Sequence, residues 1–180
     1  GDGGKGRVDF EIGDASGNSV RTRANTDFVS GLGGDDDIRL GRGDDDGLGG
    51  DGNDYVAGER GADILKGGLG NDVLVGGRGV DDLAGDAGND ALRGGRGDDA
   101  LDGGAGRDLL IGGRGDDQLT GGEDADIFRF GAHSGSDVVT DFTQGEDLIL
   151  IRARGFKDFD DMEHRISDSA DGAVLHVRGT

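Results

Sequence analysis

Twelve aspartates recur at every ninth residue: Asp27, Asp36, Asp45, Asp54, Asp63, Asp72, Asp81, Asp90, Asp99, Asp108, Asp117 and Asp126. Around them the chain supplies oxygen and almost no other donor, from the carboxylates themselves and from the carbonyls of glycine-rich turns. It has 42 glycines and no cysteine, so thiolate sites are excluded. An all-oxygen donor set suits a hard cation with high, flexible coordination, which describes calcium better than magnesium. The three histidines, His133, His164 and His176, are scattered, and no HExxH is present. A zinc protease site is therefore not expected. There is also no nucleophile elbow and no phosphate loop, because the many GxG strings recur as turns without a following helix.

The elements that must position these carboxylates follow from the same period. An unbroken nine-residue frame starts at residues 22, 31, 40, 49, 58, 67, 76, 85, 94, 103, 112 and 121. Its best copies are GGLGNDVLV (67 to 75), GGRGDDALD (94 to 102) and GGRGDDQLT (112 to 120). Aspartate holds the sixth position throughout. The eighth is apolar in eleven copies, from Val29 and Ile38 to Leu119 and Phe128, with Gly47 the exception. Glycine fills the first and fourth positions in ten copies each. These are places where the backbone must take positive φ or approach a ligand closely. Six residues of each repeat are expected to turn and three to extend, with one side chain pointing inward.

A single such strand is unstable, so two repeats must form a coil of eighteen residues, and twelve repeats six coils. The expected fold is all-β, a right-handed parallel β-roll (a β-helix solenoid) with a thin two-layer core and a small mixed C-terminal cap. At roughly 4.8 Å per stacked strand the roll would be on the order of 30 Å long. Stacking sorts the aspartates into two rows, Asp27 to Asp117 and Asp36 to Asp126, each stepping by eighteen. Carboxylates about 5 Å apart repel and cannot all be relieved by protonation at neutral pH, so a cation must sit between them. Five gaps per row give about ten ions, with eight to ten expected. About ten calcium ions would bring the formal charge of −20 close to zero.

Composition points the same way. A chain of 180 residues that is 4% aromatic has little material for a globular core. The −20 charge disfavours nucleic acid and anionic membrane as partners, and no apolar run approaches a stable membrane span. The absence of proline leaves strand pairing uninterrupted. Starting at Gly1 and without a signal-peptide core, the sequence reads as a piece of something longer. A disordered Gly/Asp-rich linker is the bland alternative, but disorder does not require an apolar residue at every ninth position.

The repeat resembles the RTX (repeats-in-toxin) family, whose GGxGxDxUx nonapeptide binds calcium in a parallel β-roll. The resemblance covers residues 31 to 129. It implies that each ion bridges two turns of one row, taking carboxylates from the sixth-position aspartates and carbonyls from turn glycines, here Gly34, Gly43, Gly52, Gly61, Gly70, Gly79, Gly88, Gly97, Gly106 and Gly115. It further implies a secreted bacterial protein, exported by type I secretion machinery and folding outside the cell, attached to upstream domains of a parent exoprotein and not itself an enzyme. Individual copies depart from the pattern. Asn25 and Asp124 replace the fourth glycine, Leu40 the first, and Glu59 and Asp86 the second. The outermost sites, at Asp27 and Asp126, are the least secure. Gly47 leaves a gap in the core that Leu48 would partly fill if the register shifted locally.

Three regions follow: 1 to 21, a degenerate N-terminal coil or cap; 22 to 129, the roll; and 130 to 180, a C-terminal capping and secretion-associated region. In the last, DIFRFG followed by SDVVTDFTQGEDLILI resembles the stretch that closes the roll in serralysin-type exoproteins. A helix is expected from Phe159 to Ile166, the apolar run 148 to 151 could bury both faces, and AVLHV (173 to 177) reads as a strand. Family members often continue with another strand and a terminal aliphatic or aromatic motif, which is not found before Thr180.

A second pattern stands at the third position, where Arg42, Arg60, Arg78, Arg96 and Arg114 fall eighteen residues apart on one edge only. The simpler account is local charge balance with Asp44, Asp82, Asp98 and Asp116. The functional alternative is a guanidinium ladder for an acidic polysaccharide. That would make the chain a carbohydrate-binding module accessory to a polysaccharide-modifying enzyme; a terminal segment of a secreted adhesin is a further alternative. The Arg-Gly-Asp tripeptides at 42, 96 and 114 are repeat phase.

Overall fold

The computed structural model describes residues 10–131, 134–152, 166–169 and 172–178. The strands at the N-terminal end are β1 (Phe10–Ile12), β2 (Ser19–Arg21), β3 (Phe28–Gly33), β4 (Asp37–Arg39), β5 (Asp46–Asp51) and β6 (Tyr55–Arg60). The middle of the roll holds β7 (Ile64–Leu69), β8 (Val73–Arg78), β9 (Asp82–Ala87), β10 (Ala91–Arg96), β11 (Ala100–Ala105) and β12 (Leu109–Arg114). The C-terminal end has β13 (Gln118–Glu123), β14 (Ile127–Gly131), β15 (Ser136–Phe142), β16 (Leu148–Arg152), β17 (Ile166–Ser169) and β18 (Gly172–Arg178).

Odd-numbered strands from β1 to β15 form one sheet, extended by β18 and β17, and even-numbered strands from β2 to β16 form the other. Each strand of the repeat region pairs in parallel with the strand eighteen residues on, as in Leu74 beside Leu92 beside Leu110. The chain therefore alternates between sheets, one repeat per strand, and winds as a β-solenoid. Eighth-position side chains from both sheets meet in the core: Val29, Ile38, Val56, Leu65, Leu74, Leu83, Leu92, Leu101, Leu110, Leu119 and Phe128 are all buried.

Strand length differs from expectation. The regular strands run for six residues, from the seventh position of one repeat to the third of the next, and only the fourth to sixth positions turn. Glycine at the second position explains this. It adopts positive φ, for example 118° at Gly77 and 124° at Gly95, yet keeps its ladder pairing, so the strand bends without ending. The second and fourth positions thus carry the left-handed backbone, and five non-glycine residues that fall there (Asn25, Leu32, Glu59, Asp86 and Asp124) take it as well.

The gap at Gly47 is filled, but not by Leu48. The register holds, with Val29, Gly47 and Leu65 aligned, and Leu48 stays on the outer face. The side chain that closes the gap is Leu40, the one apolar residue at a first position. It is fully buried, and a Cβ added to Gly47 would lie 2.9 Å from Leu40 Cδ1 and 2.9 Å from Val56 Cγ1. Two departures from the repeat compensate each other, because first and eighth positions both face inward.

The ladder runs past the twelve repeats. β1 and β2 pair with β3 and β4 at the same eighteen-residue offset. At the other end β15 and β16 continue the two sheets with offsets of 20 and 21 residues, and β18 then turns antiparallel onto β15, with β17 antiparallel on β18. The run 148 to 151 buries one face only: Ile149 and Ile151 pack on the core, while Leu148 and Leu150 are exposed. Ordinary strand alternation accounts for it. Residues 159 to 165 of the expected helix lie outside the described residues, and Ile166 begins β17.

The Leu40 and Gly47 pair gives a test. Leu40→Gly should cost the loaded roll about 3 to 5 kcal/mol, as for a large-to-small core change. Gly47→Leu alone should destabilise it by about 1 to 3 kcal/mol through overpacking. Combined, the two restore the regular pattern and should recover most of the loss, as read by urea unfolding in saturating calcium.

Candidate metal centre

The turns place all twelve sixth-position aspartates inside the molecule, each no more than 4% exposed. Each turn is closed by the next coil. The main-chain N–H of Asp27 donates to Oδ1 of Asp45 at 2.7 Å, that of Asp45 to Asp63 at 3.0 Å, and so on to Asp117. The other row behaves identically from Asp36 to Asp126. The rows inferred from eighteen-residue spacing are therefore physical columns of carboxylates.

From Asp36 to Asp126 each carboxylate accepts a main-chain hydrogen bond on one oxygen only. Over the same span Oδ2 is buried and has no hydrogen-bond partner among the described residues. An unpartnered buried carboxylate oxygen is among the costliest groups a fold can hold, and here the omission is repeated in register. The first-position glycines stand against these oxygens: a Cβ on Gly49, Gly67, Gly85 or Gly103 would overlap Oδ2 of the aspartate five residues on. Beside the same four glycines, in the row of Asp54 to Asp108, lies the carbonyl oxygen of the first-position glycine of the next coil. At Gly58, Gly76, Gly94 and Gly112, in the other row, the nearest atoms all belong to the aspartate.

The fourth-position glycines, to which the family resemblance gives a carbonyl role, form columns of their own. From Gly43 to Gly115 each has positive φ, and a Cβ would strike the carbonyl oxygen of the fourth-position residue one coil earlier. Those carbonyls therefore point along the stack. Among the described residues no three acidic or histidine side chains converge on one point. A cation between two coils would have to complete its shell with main-chain oxygens, a donor set that fits calcium.

Electrostatics expresses the same demand. Burial, partly offset by the amide hydrogen bond and in most cases reinforced by neighbouring carboxylates, lifts the ten aspartates from Asp45 to Asp126 above their ordinary 3.8. Asp45, Asp54, Asp90, Asp117 and Asp126 stand at about 6, and Asp63, Asp99 and Asp108 at about 7. Asp72 and Asp81 are also raised, burial again being the main cause.

Two members of the columns were missed in the sequence. Asp137 is fully buried, its Oδ1 accepts the N–H of Asp117 at 3.1 Å, its Oδ2 has no partner, and burial pushes its pKa up to about 7. Asp147 closes the other column, accepting the N–H of Asp126 at 3.0 Å on Oδ1 and that of Thr143 at 2.7 Å on Oδ2. Both carry the local signature Gly-x-Asp-x-apolar (135 to 139 and 145 to 149). Insertions move them off the nine-residue frame, so a fixed period passes over them. At the other end Asn18 donates its N–H to Asp36 at 2.6 Å in place of an aspartate. Of the histidines, His133 and His164 lie outside the described residues.

A family model described as RTX calcium-binding nonapeptide repeat matches this chain in four copies, at residues 12–46, 48–83, 75–110 and 102–132. No curated protein sequence matches it.

A pH dependence follows from the raised carboxylates. In the stacked state they hold protons that the unfolded chain releases near 4, so without cation their contribution disfavours the roll increasingly as pH rises from about 4 to about 7 and is absent below that window. In excess chelator, circular dichroism should show more β structure at pH 5 than at pH 7.5. The calcium midpoint should move the other way, to higher concentration at pH 5, because protons compete for the same oxygens.

Proposed function

The chain belongs to the RTX calcium-binding nonapeptide repeat family, and from that premise we propose that it is a calcium-triggered folding module of a secreted bacterial exoprotein. The observation that carries this reading is the column of half-satisfied carboxylates. Eleven buried Oδ2 atoms in register from Asp36 to Asp126, with Asp137 as a twelfth, have no hydrogen-bond partner among the described residues. Folding without cations would bury that many unmet acceptors. Folding around cations converts the same atoms into ligands.

In this reading each ion sits between two successive turns of one column, held by Oδ2 of the sixth-position aspartates and by turn carbonyls. The ligands are Asp27 to Asp126 with carbonyls from Gly34 to Gly115, and the first-position glycines leave room for the ion. Eight to ten ions bind, and Asp137 extends its column by one gap. Binding and folding are one event, since the site exists only when coils stack. At site affinities of about 10⁻⁴ M, millimolar calcium stabilises the roll by roughly 1 to 1.5 kcal/mol per site. At the far lower free calcium of a cytosol that term vanishes. The chain then remains extended and self-repelling, a form suited to passage through a type I exporter ahead of folding outside. Residues 22 to 129 are the switch, 1 to 21 and 130 to 180 its ends, and catalysis belongs to other parts of the parent protein.

Titration with calcium, followed by circular dichroism and equilibrium dialysis, tests this directly. The chelated chain at pH 7.5 should lack β signal and gain it cooperatively with calcium, binding eight to ten ions. A native-like β spectrum in excess chelator overturns the proposal. Asp99→Asn, in the middle of a column, should raise the calcium midpoint several-fold, and Asp27→Asn, at the end, should do so less.

A further inference from the structure

Beyond the aspartate columns, the third-position arginines form a second column of like charge. Arg60, Arg78, Arg96 and Arg114 are register partners on β6, β8, β10 and β12, and Arg42 joins through a bridge to Arg60. At about 4.8 Å per strand the five span roughly 19 Å. All five are exposed, and among the described residues none makes an ion pair. Local charge balance, if it operates, does so without direct salt bridges to these arginines among the described residues. Asp44, Asp98 and Asp116, the neighbouring acids on that edge, spend an oxygen on the N–H groups of Ala62, Asp116 and Ser136.

The column lines a groove of about 510 Å³. Arg78, Arg96 and Arg114 border it, Arg93 enters from the same sheet, and Gly77, Gly95 and Gly113 leave it bare of side chains. Those glycines have φ of 118°, 124° and 124°, a conformation that disfavours any side chain. Glu59, at the equivalent place on β6, ends the bare track. The other sheet is opposite in character: its smaller groove is lined by Asp82 and Asp102 with Gln118 and Thr120. A chain of net charge −20 therefore presents one continuous cationic track, whose attraction for anions is masked by the aspartate columns until these are neutralised.

We infer that this groove is a binding site for a linear acidic polysaccharide of the polyuronate class, laid along the roll axis with successive carboxylates paired to successive arginines. The inference rests on the calcium reading, because only the stacked, loaded roll brings the arginines into register. Guanidinium forks match carboxylates in geometry. A polyuronate carries one carboxylate per sugar along an extended chain, which suits a straight column of single charges on a glycine floor. Single-stranded nucleic acid fits less well, since the groove offers no aromatic side chain on which bases could stack.

The test is calorimetric titration of the calcium-saturated chain with a uronate oligomer of about six sugars, too short to gel with calcium. Saturable binding that weakens with added salt is expected. Replacing three arginines (R78Q/R96Q/R114Q) should weaken it at least ~10-fold with the calcium-induced β signal unchanged, while D82N/D102N on the other sheet should not weaken it. Absence of binding to a parent roll that circular dichroism shows to be folded overturns the inference and leaves the calcium reading intact; failure to fold in calcium brings down that reading instead. Undiminished binding by the triple variant also overturns it, since the uronate would then be held through calcium or elsewhere. Equal or tighter binding of single-stranded DNA of the same charge overturns the ligand class.

Discussion

The structure depends on a carboxylate that the protein satisfies by half. In the turns from Asp36 to Asp126 the aspartate gives Oδ1 to an amide of the preceding coil and leaves Oδ2 buried with no hydrogen bond among the described residues. The first contact fixes coil spacing and turn shape, so it acts as a structural hydrogen bond repeated along a column. The second atom makes the same fold unfavourable unless a cation or a proton neutralises it. A protein with a large apolar core could absorb one such defect. Here the core is a thin layer of mostly aliphatic side chains contributed by two sheets, and the defect recurs along the turns.

Glycine is the other half of the arrangement, and its three positions in the repeat answer different needs. The second and fourth supply left-handed backbone; the first leaves volume beside Oδ2. The distinction explains which departures the roll accepts. Glu59 and Asp86 replace second-position glycines, at a cost in backbone strain but without entering the cation column. Leu40 replaces a first-position glycine, and its side chain goes into the core, where Gly47 has left space. Along the turn edge Asn53, Asn71 and Asn89 add a ladder of their own, each amide N–H bonding to the side-chain oxygen one coil earlier. The solenoid thus stacks by the same contact repeated, which is how a quasi-one-dimensional fold gains stability without a globular interior.

Charge is distributed by the same period. The aspartates are turned inward at the coil edges, acidic side chains line one sheet, and the arginines gather on the other. An eighteen-residue step is enough to separate them, because residues two repeats apart share a sheet and residues one repeat apart do not. Net charge alone would describe the molecule as uniformly repellent to anions. The coil geometry makes it polar instead, with an acidic sheet on one side and a row of arginines on the other.

Much of this was legible in the residues. The nine-residue frame, the aspartate at every sixth position and the apolar eighth position determined a parallel solenoid with two carboxylate rows, because strand alternation and coil stacking allow no other burial of those side chains. Periodicity also located the arginine column. What only the tertiary structure decided lies where the period breaks or where packing chooses between equivalents. Asp137 and Asp147 join the columns because β15 and β16 resume the ladder at offsets of 20 and 21 residues, which a fixed frame cannot follow. Leu40 rather than Leu48 fills the core at Gly47 because the side chain's face, and not its proximity in sequence, determines what it can reach. The unpartnered Oδ2 itself could not be read from composition: whether a buried carboxylate is whole or half satisfied depends on which amide the neighbouring coil presents to it.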